Sequence, residues 1–148
     1  MATKSKAAPP ALPYFLQGAA PYALIALTAA ALYLRTLSFD FVYLDDNALI
    51  LDRFPFISRL SNIFEAFRRD VFHSPAGAAA YYRPMLTVSL MLDAQVGGAS
   101  PWIYHLSKVL LHLLASCLVF RTLTAVGRPP GLAFFFAMLF AVHPVNTQ

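Results

Sequence analysis

The chain has 148 residues, of which 59% are hydrophobic and only 12% charged. A soluble domain carries about 25% charged residues, so this balance excludes an ordinary soluble fold and favours a membrane protein. The net charge is +4 and the single cysteine rules out an intrachain disulfide, leaving Cys117 as a small apolar side chain in a hydrophobic run.

Residues 1–12 are rich in Lys, Ala and Pro and read as a disordered tail, since Pro9, Pro10 and Pro13 oppose helix formation. An uncharged run over 13–34 follows. About 22 residues of helix at about 1.5 Å each reach about 33 Å, enough to cross a hydrocarbon core of about 30 Å. The helix is expected to continue to Leu37, with a kink at Pro21. A secretory signal has a shorter apolar core and a small-residue cleavage site. Leu34, Arg35 and Thr36 make a poor site, and an uncleaved anchor is expected.

The outer loop, residues 38–82, follows. All 7 acids lie between Asp40 and Asp93, whereas Lys4 and Lys6 precede the first run and Arg121 and Arg128 flank a turn at residues 127–131. The positive-inside rule places those basic ends in the cytoplasm and the acidic loop outside, in the periplasm or a lumen. Arg35, at the outer end of the first helix, can snorkel to the interface. Ile57, Leu60, Ile63, Phe64, Phe67 and Val71 recur at helical spacing and predict an amphipathic helix on the membrane surface. Asn62 and Glu65 have capping-box spacing, and Arg59, Arg68, Arg69 and Asp70 fall on the polar face.

Residues 74–80 are small and read as flexible. A second apolar helix over 85–96, about 18 Å long, is too short to span and reads as re-entrant or interfacial. Asp93 interrupts its apolar character, and residues 97–101 end it. A second spanning helix runs from Pro101 to about Thr124. Residues 132–142 begin a third, interrupted by His143 and Pro144, and the chain reads as the front of a longer protein. The expected fold class is therefore an all-α membrane protein, with about three transmembrane helices, the last truncated, and amphipathic or re-entrant helices in the first outer loop.

Asp45 and Asp46, adjacent carboxylates just beyond a membrane helix, are the leading chemical candidates. Adjacent residues diverge by about 100° on a helix, whereas in an irregular loop both can reach one site. One can then act as general base on a hydroxyl while the other orients it or holds a divalent metal. The competing reading is a turn or helix cap on a solvated loop. Arg83, between Tyr82 and Pro84, has the planar fork that binds phosphate bidentately, and equally suits an anchor to lipid headgroups. His105, Lys108 and His112 share one face of the second span. They fit cations near a pyrophosphate, or hydrogen-bonded structural histidines between helices. His143 returns to the outer face if the second span runs inward and the third outward.

Taken in order, Phe41-Val-Tyr-Leu-Asp-Asp46, then Tyr82-Arg-Pro84, then Tyr104-His105 and Leu111-His112, then the stretch from Leu139 through His143 and Pro144 to Gln148, resemble the N-terminal part of the transmembrane and tetratricopeptide-repeat O-mannosyltransferase family and its bacterial relatives. The resemblance covers residues 39–148. It implies a GT-C-like fold with more helices downstream, a polyprenyl-phosphate-linked sugar as donor, a protein or glycan acceptor, and a catalytic acid at Asp45 or Asp46. It also implies residence in a bacterial inner membrane or the endoplasmic reticulum, with the lipid bilayer and the remaining helices as partners and no nucleic acid. Two departures stand out: Leu44 separates Tyr43 from the acids, where the family runs Tyr directly into the acidic pair, and Gln148 stands where a glutamate is common. The alternatives are another GT-C branch, such as an aminoarabinose or oligosaccharyl transferase, and a non-enzymatic membrane scaffold or transport subunit.

Overall fold

A computed structural model of the chain describes residues 13–43, 45–72 and 81–143. The expected tail at 1–12 and linker at 74–80, together with Leu44, Pro144 and Gln148, lie outside the described residues. The described residues are helical without strands, and Ala20–Ser38 and Pro101–Ala125 are each long and apolar enough to cross a membrane. The protein is an all-α membrane protein.

The elements, in order, are a 3-10 turn Tyr14–Leu16, helix α1 Ala20–Tyr33, a 3-10 turn Leu34–Ser38, a π-helical turn Asn47–Leu51, α2 Phe54–Ile57, a 3-10 turn Leu60–Asn62, α3 Ile63–Ala66, α4 Pro84–Gly97, α5 Pro101–Ala125 and α6 Pro130–Val142. They divide into two compact units, residues 1–32 with 112–148, and residues 33–111.

In the first unit, α1 begins later than the uncharged run suggests. Pro21 therefore lies in the first helical turn, where its missing N–H costs no hydrogen bond, and the expected kink is removed. Tyr22 of α1 meets Phe120 of α5 ring to ring, edge to face at 5.1 Å, and the Cys117 thiol on α5 points to the Tyr22 carbonyl at 3.8 Å. The carboxyl end of α5 closes in a Schellman turn. Gly127, at φ +79°, donates to Thr124 O and Arg128 donates to Leu123 O. Pro130 then opens α6 in the proline-tolerant first position. Ala133, Ala137 and Ala141, four residues apart, are all fully buried. Small side chains in this register let helix backbones approach closely, which replaces the hydrophobic drive that lipid does not supply.

The second unit, residues 33–111, takes in the Leu34–Ser38 turn that continues α1 and the first part of α5. The α1 helix tightens into the Leu34–Ser38 turn, where the Thr36 and Ser38 hydroxyls donate to the Tyr33 and Arg35 carbonyls. Because a 3-10 turn rises faster per residue, the joint helix reaches about 31 Å. The α4 helix is the platform of this unit. Its Leu90, Met91 and Ala94 are buried with Ile50, Ile57, Ala66, Ile103 and Tyr104. At about 21 Å it is too short to span, as its sequence indicates. Gly98, at φ +60°, turns the chain into α5, and the Tyr104 hydroxyl locks that turn by donating to Gly98 O at 2.7 Å.

The single amphipathic helix expected across residues 57–71 does not form. The segment breaks into α2, the 3-10 turn and α3, because α2 and α3 pack on α4 and bury Ile57 and Ala66 there, while Leu60, Phe64 and Phe67 stay exposed and Val71 is buried beyond α3. The expected capping box is also not made. Asn62 sits at the start of α3, but its amide donates backwards to Phe56 O at 2.9 Å, and Glu65 pairs with Arg69. Asp70, placed by periodicity on the polar face, is buried beside Arg53.

Candidate active site

The acidic pair does not lie in an irregular loop. Asp45 and Asp46 are helical and lead directly into the π-helical turn, which is closed by Asp52 N–H donating to Asn47 O at 2.9 Å. Such wide turns are rare and concentrate at functional sites. Helical backbone separates the two side chains, so they meet different surroundings. Asp45 is exposed, whereas Asp46 is buried to 8% exposure. Asp46 Oδ2 accepts the Val42 amide at 2.9 Å, pulling the preceding chain down onto the helix start. Its other oxygen, Oδ1, lies 3.5 Å from Lys108 Nζ on α5.

Lys108 belongs to a small polar seam in the second unit. Asp93, buried on α4, accepts the Ser107 hydroxyl at 2.8 Å and feels the Lys108 charge. Burial pushes the Asp93 carboxyl above its usual range, with the Ser107 hydrogen bond and the Lys108 charge pulling it back. What looks in the sequence like an interruption of an apolar helix is thus the polar tie between α4 and α5. The Tyr104 hydroxyl is already spent on Gly98, and His105 Nε2 is buried without a hydrogen-bond partner among the described residues.

Tyr82 and Arg83 stand exposed just before α4. The Tyr82 hydroxyl donates to Phe67 O at 2.9 Å, and Val71 N–H donates to Tyr81 O at 2.8 Å, which fastens this strip to the end of the α3 region. The Arg83 guanidinium lies 5.5 Å from the centre of the Tyr81 ring, within cation–π range. Arg83 is exposed and makes no ion pair with either aspartate among the described residues.

The first unit holds His112 and His143. His112 is buried, with Nε2 3.0 Å from Ala141 O and its ring stacked on Phe140 at 5.6 Å. This is the geometry of a histidine hydrogen-bonded between helices. His143 ends α6 in extended backbone. Of the expected site residues, the structure brings Asp46 and Lys108 together. Among the described residues, no three His, Cys, Asp or Glu side chains converge as a metal cage.

Sequence reasoning missed the Val42 amide, which reaches the Asp46 carboxylate four residues on, and Ser107, which reaches across the α4–α5 turn to Asp93, visible in the sequence only as a break in an apolar helix. Arg53 is a further buried group, with its guanidinium 5.2 Å from the Phe56 ring centre and Asp70 near.

Comparison with known proteins gives a consistent set of relatives. Over 123 residues, 80% of this chain, the sequence is 37% identical to Protein O-mannosyl-transferase TMTC2 of Mus musculus. It is 37% identical over 128 residues, 81% of the chain, to Protein O-mannosyl-transferase Tmtc1 of Drosophila melanogaster, and 34% identical over 122 residues, 79% of the chain, to Protein O-mannosyl-transferase tmtc2 of Xenopus laevis. The chain spans 14% of the length of each of these three proteins. No family model and no solved structure matches it.

Proposed function

We propose that this chain, which belongs to the TMTC-like protein O-mannosyl-transferase family, forms the acid-bearing part of a membrane glycosyltransferase of GT-C type. The donor is a polyprenyl-phosphate-linked sugar, mannose by the names of the relatives, and the acceptor is a protein hydroxyl.

The observation that carries this reading is the inequality of the two aspartates. A transfer at the lipid–water boundary needs one carboxylate free to receive a proton and a second fixed group to hold the first in register. Asp45 is exposed and suited to the first role, and Asp46, bound by Val42 and Lys108, to the second. The Asp45 carboxylate takes the proton of the acceptor hydroxyl as that oxygen bonds to the anomeric carbon. The bond between the anomeric carbon and the phosphate oxygen breaks, and polyprenyl phosphate leaves with the electron pair. Arg83, exposed and over the Tyr81 ring, suits the phosphate of the donor or of the leaving group. A divalent cation, if used, would draw on Asp45 for a ligand and neutralise the same phosphate.

The test is sugar transfer by the complete polypeptide in lipid nanodiscs. Radiolabelled polyprenyl-phosphate mannose is offered with an acceptor protein, and labelled protein and released polyprenyl phosphate are measured together. Equimolar appearance of both supports the reading. Absence of both, with the protein folded, would leave the scaffold interpretation standing.

A further inference from the structure

We propose that Lys108 is a positioning residue, which clamps Asp46 from α5 and thereby holds the first turn of the acidic segment in the one placement that presents Asp45. This rests on the transferase reading above and assigns a part of that site to a residue outside the acidic loop.

The geometry is a chain of contacts within one compact unit. Val42 N–H is held by Asp46 Oδ2, Asp46 Oδ1 faces Lys108 Nζ at 3.5 Å, and the neighbouring Ser107 is tied to Asp93 of α4 at 2.8 Å. Asp93 thus fixes the turn of α5 from which the lysine extends. The Lys108 side chain is half exposed, but that of Asp46 is only 11% exposed. A largely buried carboxylate stripped of its cation is poorly solvated and moves to regain water. Such a shift would release the Val42 amide and swing the helix start that carries Asp45. The charged groups facing the lysine are Asp46 from the acidic segment and Asp93 from α4, so its loss unbalances two carboxylates at once.

Two readouts on the complete polypeptide separate this from failure of the transferase reading. The first is hydrogen exchange at the Val42 amide, which needs no activity. Lys108→Met should speed exchange about fivefold, the opening expected when a pair of this exposure is lost, and Lys108→Arg should restore protection. In an Asp46→Asn background, adding Lys108→Met should change little, because the partner charge is already gone. The second is steady-state transfer: Lys108→Met should lower kcat with KM for the donor unchanged, and Lys108→Arg should recover kcat. Unchanged Val42 exchange in Lys108→Met, or an equal effect of that variant with and without Asp46→Asn, would overturn the clamp. Altered exchange in a protein whose parent transfers no sugar would uphold the clamp and remove the transferase reading instead.

Discussion

Asp46 and Lys108 lie 3.5 Å apart, oxygen to nitrogen, joining the start of the acidic helical segment to the N-terminal part of α5. This pair makes the two neighbouring aspartates different from each other. One is engaged by an amide and an ammonium and the other is open. Adjacent identical residues in a sequence invite a symmetrical reading, which the helical backbone breaks.

Asp93 supplies a pH prediction. Burial raises its carboxyl above the usual range. The folded protein therefore retains a proton that the unfolded chain has already released. Folding stability should fall as pH climbs from the ordinary aspartate range through the raised value, and level off above it. Asp93→Asn keeps an oxygen to accept the Ser107 hydroxyl and should flatten that slope. Thermal unfolding of both proteins in detergent, followed across acidic to neutral pH, measures it.

Arg53 and Asp70 give a second. Arg53 is buried, with desolvation lowering its pKa and the Asp70 charge acting in the opposite sense. Arg53→Met takes away the positive charge that acts against buried Asp70, and should destabilise by about 0.5–3 kcal/mol. The double change Arg53→Met with Asp70→Leu should recover much of this, since apolar replacements of both partners avoid the desolvation cost. Chemical denaturation of the four proteins in the cycle gives the coupling directly.

The turn between α4 and α5 gives a third. A Cβ added at Gly97 would lie 2.6 Å from Ile103 Cγ2 and 2.8 Å from Ile103 Cβ. Gly97→Ala should therefore force α4 and α5 apart and cost about 1–3 kcal/mol. Because the same turn positions Ser107 and Lys108, the variant should also speed exchange at Val42. Melting temperature and amide exchange on one sample check both.

The spans, the short α4 helix and the turn at Gly127 were legible in the sequence, because each depends on local features: uncharged length, helix-breaking residues, and glycine followed by proline. The candidate acids were legible from their place after a span. What was hidden depends on contacts across the chain. The apolar period over residues 57–71 is real, yet Ile57 and Ala66 would fall on opposite faces of one continuous helix, and the break into α2 and α3 buries both with α4. Asn62 had the right spacing for a cap but found the Phe56 carbonyl instead. Asp93 looked like a flaw in an apolar helix, since nothing near it in sequence reveals Ser107 as its partner.

The most direct measurement is kcat for mannosyl transfer by the complete polypeptide carrying Asp45→Asn or Asp46→Asn. Loss of the proton acceptor in Asp45→Asn should lower kcat by about 10²–10⁴-fold, while Asp46→Asn, which disturbs only placement, should cost less and should alter Val42 exchange. Full activity in Asp45→Asn, with loss in Asp46→Asn alone, would contradict the assignment of the two carboxylates.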